Sequence, residues 1–157
     1  MLKEFLPGCA DYGEIAGKQG EIYYFGFEEG RELPCCVAEL TRIKEVSKEK
    51  VIILLGIKKE DENFRITKVS VLYLEGFAEK FIKPFEDNKE KFLLQFRNKD
   101  IHSSFKLGKG IDSITGATPQ ATVISFGIAK EATLLEEVFL NKRLIEEAKA
   151  NKKSFNE

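Results

Sequence analysis

The segment Gly110–Thr122, GIDSITGATPQAT, is where residue types and spacing best suit a chemical role. Thr115 and Thr118 lie three positions apart, around a Gly-Ala pair, and Pro119 follows them. Thr118 is a good N-cap and Pro119 a favoured first helical residue, so the pattern predicts a helix N-terminus. Such an end carries unpaired N–H groups and a partial positive charge, which stabilise a phosphate. The sequence predicts a phosphate-binding helix end containing the Thr118 hydroxyl, and leaves open that Thr118 is only a cap.

Other residues give little support for catalysis or metal binding. The stretch GKGIDS lacks the spacing of a phosphate-binding P-loop. Cys9, Cys35 and Cys36 have no CxxC spacing, and His102 is the single histidine, so a Cys/His zinc site lacks ligands. We interpret the cysteines as buried small apolar residues and expect no metal site. No acidic residue is closely spaced to His102 to complete a triad, so no catalytic residue is predicted.

The sequence DSITGAT, Asp112–Thr118, resembles the D-x-x-[ST]-G-A-[ST] motif of the FMN-binding domain family. That family includes flavin-carrying subunits of the Rnf electron-transport complex and of the sodium-pumping NADH:quinone oxidoreductase. In it, a flavin transferase joins FMN through its phosphate to the last hydroxyl residue, which corresponds to Thr118. The other matched positions are Asp112, Thr115, Gly116 and Ala117. The resemblance implies an electron-transfer flavoprotein domain with covalent FMN on Thr118, in which the cofactor performs the redox chemistry.

The resemblance extends loosely to LKEFLPGC, GIKKEDENFRITKVSVLYLEG and FLLQFRNKD. It departs from the family where many members have E-T-P-G-L-G, a loop that lies against the flavin. Here LEGFAEKF keeps Glu75 and Gly76 but lacks the Thr-Pro and the second Gly. The aromatic residues considered as contacts to the flavin ring are Tyr23, Tyr24 and Phe77. Lys106 and Lys109 precede the motif and are expected either to neutralise the phosphate or to be solvated.

The resemblance also implies partners and a location. These are a flavin transferase, other redox subunits of a membrane-associated complex, and the extracytoplasmic face of the cytoplasmic membrane. Two alternatives remain open. One is a module that binds FMN or another phosphate compound noncovalently. The other is an assembly subunit that has kept the fold without the cofactor, which the altered LEGFAEKF segment favours.

Strands followed by helices are predicted to position the motif. The segment LKEFL predicts a short helix that ends before Pro7. The β-branched run Lys50–Lys59 is typical of a strand covered on both faces. Alternation in Phe64–Leu74 places Phe64, Ile66, Lys68, Ser70, Leu72 and Leu74 on one face. Two further strands are predicted at 21–27 and 32–43. Because short turns join consecutive strands, antiparallel pairing is favoured.

Two helical segments are predicted after the strands. Phe77–Phe96 has helical spacing, and Pro84 is expected to end or kink it. The last helix begins at Thr118–Pro119 and is long, with Lys142 and Arg143 on its polar faces. Its apolar stripe consists of Ala121, Ile124, Ile128, Ala132, Leu135 and Phe139. The fold class is α+β: one domain, 1–157, with an antiparallel sheet and helices packed on one side.

Composition limits the classes of partner. The 157-residue chain is 43% apolar and 32% charged, with 25 basic and 26 acidic residues and a net charge of −1. This balance lacks the basic surface typical of nucleic-acid binding. No apolar run approaches the roughly 18 residues of a membrane span, and Glu4 and Pro7 interrupt any apolar signal region. We expect no nucleic-acid partner and no membrane span within this chain.

Overall fold

A computed structural model describes residues 1–43 and 48–155. Its six strands form one antiparallel sheet in the order β5-β4-β3-β2-β1-β6. They are β1 (Asp11–Ala16), β2 (Ile22–Phe27), β3 (Cys36–Arg42), β4 (Lys50–Glu60), β5 (Asn63–Glu75) and β6 (Lys153–Ser154). The predicted antiparallel pairing is confirmed, whereas β1 and β6 had not been assigned from the sequence.

Three α-helices and two 3-10 turns complete the described chain: α1 (Ile82–Leu94), α2 (Thr118–Phe139), α3 (Lys142–Ala150) and the turns Leu2–Glu4 and Glu79–Phe81. The prediction that the last helix includes Lys142 and Arg143 is wrong, because α2 ends at Phe139. Asn141 begins a new helix, and its Oδ1 accepts a hydrogen bond from Leu144 N at 3.2 Å.

Pro84 does not end its helix. It lies in the first turn of α1, where its missing N–H has no helical partner to lose. The change in helical geometry comes just before it, between the 3-10 turn Glu79–Phe81 and α1. The predicted helical segment therefore exists, with its irregularity a few residues earlier than expected.

The two faces of the sheet pack against different parts of the chain. On one face, Val37 and its neighbours pack against all three α-helices in the larger core cluster. On the other face, Ala38 and Leu54 pack against the N-terminal residues Phe5 and Leu6 in a smaller cluster. The α+β class with helices on one side is confirmed, and so is the covering of β4 on both faces.

The predicted faces of β5 are wrong from Lys68 to Leu72. The pairing of β4 with β5 shifts register between Gly56 and Ile57, where Ile57 pairs with Ile66 and Gly56 with Lys68. This shift is a β-bulge, which adds one residue to one strand and reverses the alternation after it. Val69, rather than Lys68, therefore joins Phe64 and Ile66 in the larger core. Leu74 is on the predicted face, because a second register shift between Ile52 and Ile53 restores the alternation.

Within residues 1–43 and 48–155, no helix combines the length and the apolar character needed to cross a bilayer.

Candidate functional site

The DSITGAT motif forms a tight turn at the start of α2. Ala117 N donates to Ile114 O at 3.0 Å, and Gly116 has φ +83°. This is the geometry of a type II turn, which requires a positive φ at its third residue and therefore favours glycine. Ile114 is buried and anchors the turn, while Thr115 is exposed beside Gly116.

The small residues of the motif have structural causes. A Cβ on Gly116 would lie 3.1 Å from Cβ of Pro84, so this glycine also permits close contact with α1. Ala117 is fully buried and belongs to the larger core. Its small side chain fits the packing beneath the helix rather than an approaching ligand.

Thr118 lies in the first turn of α2 with an exposed side chain. The prediction that Thr118 is the N-cap is wrong by one residue: Ala117 is the N-cap, without a side-chain capping bond, and Ala121 N donates to Ala117 O at 3.1 Å. Because Ala117 supplies the capping backbone, the Thr118 hydroxyl is not used as a cap. Among residues 1–43 and 48–155, it has no hydrogen-bond partner.

The backbone at this helix end has one donor to offer. Pro119 has no N–H, and the N–H group of Thr118 has no acceptor among the described residues. Gln120 is 0% exposed, so its backbone N–H is not open to a ligand. An unpaired N–H group at the positive end of a 22-residue helix attracts an anion. The Gln120 side chain is buried, and its Nε2 donates to Phe81 O at 2.9 Å.

A cavity of about 310 Å³ lies between α1 and the motif. Its lining includes Lys91 from α1 and Gln95 from the C-cap of that helix, with Asp112 and Thr115 from the motif. The Gln95 amide holds the motif at both backbone groups of Asp112: Oε1 accepts from Asp112 N at 2.7 Å, and Nε2 donates to Asp112 O at 3.0 Å. The motif is therefore fixed to α1 beside a cavity with a cationic side chain.

The segment Glu75–Phe77 reaches this region indirectly. Glu75 accepts a hydrogen bond from Tyr73 Oη, and Phe77 is half-buried against the larger core. Gly76 has φ +93°, and a Cβ there would lie 2.8 Å from the Lys48 carbonyl oxygen. The segment leads into the turn Glu79–Phe81, to which Gln120 bonds.

The structure does not bring Tyr23 or Tyr24 to Thr118. The two tyrosines point to opposite faces of the sheet: Tyr23 packs on the larger core and Tyr24 on the smaller. Tyr23 interacts electrostatically with Glu131 of α2, which is 13 residues from Thr118, or roughly 20 Å at about 1.5 Å per residue. Lys106 and Lys109 are exposed in the loop before the motif.

Sequence reasoning missed Phe126, the aromatic side chain that α2 exposes most. Phe126 is 60% exposed and lies eight residues beyond Thr118, which is about 12 Å along the helix. Thr118, Thr122 and Phe126 follow at four-residue steps, and all three are exposed. Phe126 lies outside the apolar stripe of α2, and this position in the sequence could have indicated that its side chain is exposed.

A second, larger cavity of about 560 Å³ lies near the other end of α2, between that helix, α3 and the sheet. Glu39, 4% exposed, and Glu131, 7% exposed, both line it with Tyr23. Burial, followed by repulsion from Glu131, raises the pKa of Glu39 to about 9. Burial and the neighbouring Glu39 also raise the pKa of Tyr23. In the described chain, Oε1 of Glu39 is buried without a hydrogen-bond partner.

The three cysteines meet on the opposite face of the sheet. Their Sγ atoms all lie within 4.8 Å of one another, although the sequence spacing gave no indication of this. Cys9 and Cys36 are buried as predicted, whereas Cys35 is half-buried. The Cys35 thiol has a lowered pKa, because hydrogen bonds from Cys36 and Cys9 stabilise its thiolate.

Comparisons of the chain with protein-family models, curated proteins and solved structures give no match.

Proposed function

We propose that the protein is an electron-transfer flavoprotein domain that carries FMN attached through its phosphate to Thr118. The observation that carries this proposal is the exposed Thr118 hydroxyl, uncapped at the N-terminus of α2 and last in the DSITGAT motif. A hydroxyl already used as a helix cap would have to give up its hydrogen bond before esterification.

The helix end at Thr118 suits a bound phosphate. The free N–H group of Thr118 is a donor suited to phosphate oxygens, and the helix dipole adds favourable electrostatics. Lys91 lines the neighbouring cavity beside Thr115, and Thr118 is not among the residues that line this cavity. The type II turn at Gly116 and the Gln95 clamp on Asp112 hold this helix end in place.

Bound FMN supplies reversible electron transfer through its ring, and the chain supplies attachment and orientation. An ester at Thr118 prevents loss of the cofactor and leaves the electronics of the distant ring nearly unchanged. Phe126 offers an exposed apolar face on the same side of α2. Phe77 is the candidate contact from the altered loop. No protein residue is required as a nucleophile or as a general acid or base for electron transfer.

The proposed partners follow from the resemblance of the motif. They are a flavin transferase, which would make the ester, and other redox subunits of a membrane-associated complex. The proposed location is the extracytoplasmic face of the cytoplasmic membrane. The absence of a spanning helix in the described residues is compatible with a subunit that meets its membrane partners through their own domains.

The test is coexpression with a flavin transferase, followed by intact-mass measurement and in-gel flavin fluorescence after denaturation. We expect the wild-type chain to gain the mass of FMN less one water, and Thr118→Ala to abolish this gain. Thr122→Ala is the matched control, since Thr122 is an exposed threonine one turn further along the same helix. Thr115→Ala should still permit the bond. Full flavinylation of Thr118→Ala would refute the assignment.

The same experiment separates the noncovalent alternative, which the unpaired Thr118 N–H at the helix end supports in its own right. A module that binds FMN reversibly would be yellow when native and dark on a denaturing gel. Protein that stays colourless with both flavin and transferase supplied would indicate an assembly subunit without cofactor.

A further inference from the structure

The cysteine cluster consists of Cys9, Cys35 and Cys36, which come from two distant parts of the sequence. Cys9 ends the N-terminal segment, and the vicinal pair lies at the entry to β3. The Sγ atoms of Cys9 and Cys35 are 3.0 Å apart, and all three sulfur atoms lie within 4.8 Å of one another. Cys9 is 4% and Cys36 1% exposed, while Cys35 reaches the surface.

The backbone around the cluster is held by the sheet. Cys35 N donates to Gly26 O at 2.9 Å, and Ala10 N donates to Phe27 O at 2.9 Å, so both arms of the cluster are tied to β2. Gly26 makes the space for the first thiol, because a Cβ at this position would lie 2.6 Å from Sγ of Cys9. The three thiols therefore meet because the backbone is held by β2 and because Gly26 leaves space for Cys9, and burial of apolar side chains alone would not bring them together.

We propose that Cys9, Cys35 and Cys36 bind a single thiophilic divalent cation of the Zn²⁺ class through their three sulfur atoms. Metal–sulfur bonds of about 2.3 Å place neighbouring sulfurs about 3.8–4.0 Å apart in a tetrahedral or trigonal site. The Cys9–Cys35 separation is 3.0 Å, and no separation among the three sulfur atoms exceeds 4.8 Å. The Cys9–Cys35 pair needs to open by about 0.8 Å to reach the metal-site spacing.

Other uses of three thiols fit less well. Iron–sulfur clusters are generally held by four cysteines, one more than the chain contains. A disulfide between Cys9 and Cys35 would leave the buried Cys36 thiol outside the bond, with its weak hydrogen bond to Pro7 O at 3.8 Å, and the adjacent pair Cys35–Cys36 would close a strained ring. The exposed side of Cys35 leaves room for water as the fourth ligand of a zinc-type site.

Binding would exchange three S–H protons for three metal–sulfur bonds, releasing three protons and leaving one net negative charge on the site. Because Cys9 lies at the end of the N-terminal segment, the metal would connect residues 1–9 to the start of β3. This role is separate from Thr118, which lies at the end of a helix packed on the opposite face of the sheet.

The test uses the full, reduced chain titrated with Cd²⁺ alone and followed by the thiolate-to-metal absorption band in the ultraviolet. We expect saturation at one Cd²⁺ per chain, displacement of the band by Zn²⁺, and slower reaction of the thiols with a disulfide reagent after metal is added. Cys35→Ser, at the half-buried position, should weaken Cd²⁺ binding at least tenfold. Ala38→Ser, which adds a hydroxyl to the same small core without removing a thiol, is the matched control and should bind normally.

Circular dichroism would show whether each variant is folded. If Cys35→Ser is unfolded, the wild-type chain still decides, because Zn²⁺ must protect its thiols and raise its thermal midpoint. Absence of the band, unchanged Cd²⁺ affinity in folded Cys35→Ser, or thiols equally reactive with and without metal would each overturn the proposal. Finding that Cys9 and Cys35 remain joined as a disulfide after treatment with excess reductant would also overturn it.

Discussion

Replacement of Glu39 by glutamine should change how stability depends on pH. The carboxyl of Glu39 lies in the sheet beneath α2, 4% exposed, where Glu131, Glu21 and Tyr23 act on it. Burial and the negative charge of Glu131 raise its pKa from the ordinary 4.5 to about 9. The folded state therefore retains a proton that the unfolded chain releases at neutral pH.

The sign and the size follow from linkage. Between the two pKa values the native state binds more protons than the unfolded state, so stability is fully present below pH 4.5 and is lost as pH rises toward 9. Each pH unit in this range costs about 1.4 kcal/mol. From about pH 5 to about pH 8 the free energy of unfolding of the wild type should fall by up to about 4 kcal/mol, with other groups adding their own changes.

Urea unfolding at a series of pH values measures this effect. Glu39→Gln keeps the size of the side chain and cannot ionise, so its stability should depend less on pH, and it should exceed the wild type by about 3 kcal/mol near neutral pH. Glu137→Gln, which removes an exposed carboxyl from the same cavity, is the control and should keep the wild-type slope. If the free energy of unfolding changed with pH by the same amount in the wild type and in Glu39→Gln, the reasoning would be refuted.

Two further substitutions test the structure around Thr118. Gly116→Ala should destabilise the fold by about 1–2 kcal/mol because of its positive φ, and by more where the new Cβ meets Pro84. Gly108→Ala is the control, because Gly108 has the same φ of +83° but open space around it, so its loss of unfolding free energy in urea reports the backbone strain alone. If both substitutions lowered the free energy of unfolding equally, the contact with Pro84 would contribute nothing. Phe126→Ala should leave stability within about 0.5 kcal/mol, since its side chain is 60% exposed. In flavinylated protein, however, it should increase quenching of flavin fluorescence by iodide. Leu140→Ala, exposed beyond the other end of α2, should have no effect on quenching, and an unchanged result for Phe126→Ala would show that this ring does not cover the flavin.

Much of the fold could be predicted because local pattern and tertiary packing agree. The β-branched run of β4 and the apolar stripe of α2 are signals that packing on the sheet reinforces. The bulge at Gly56 and Ile57 could not be read, because a single extra residue leaves both flanking patterns intact. The break at Asn141 did have a signal, since asparagine is a favoured N-cap.

The candidate sites likewise differ in whether the sequence could predict them. The turn and the exposed Thr118 hydroxyl are local to one heptapeptide, so sequence pattern located them to within one residue. The thiol cluster brings Cys9 to a cysteine pair that begins 26 positions later, and Glu39 and Glu131 are further apart still. No periodicity specifies such a meeting, because it depends on strand order and on which face each residue takes.

The separation of these sites leads to a last prediction, that the states of Glu39 and Thr118 are independent. Both act on α2, so movement of the helix on ionisation of Glu39 could in principle reach its N-terminus, roughly 20 Å away. Two contacts between them oppose this: Ser125 Oγ donates to Phe105 O, and Gln120 Nε2 donates to Phe81 O. Substitutions this far apart without shared partners usually add within about 0.5 kcal/mol. Thr118→Ala and Glu39→Gln should therefore change the free energy of unfolding additively, and Glu39→Gln should leave the extent of flavinylation unchanged. A coupling above about 1 kcal/mol in the double-mutant cycle would mean that α2 moves as one rigid rod, and that the protonation of Glu39 is transmitted to the helix end that holds Thr118.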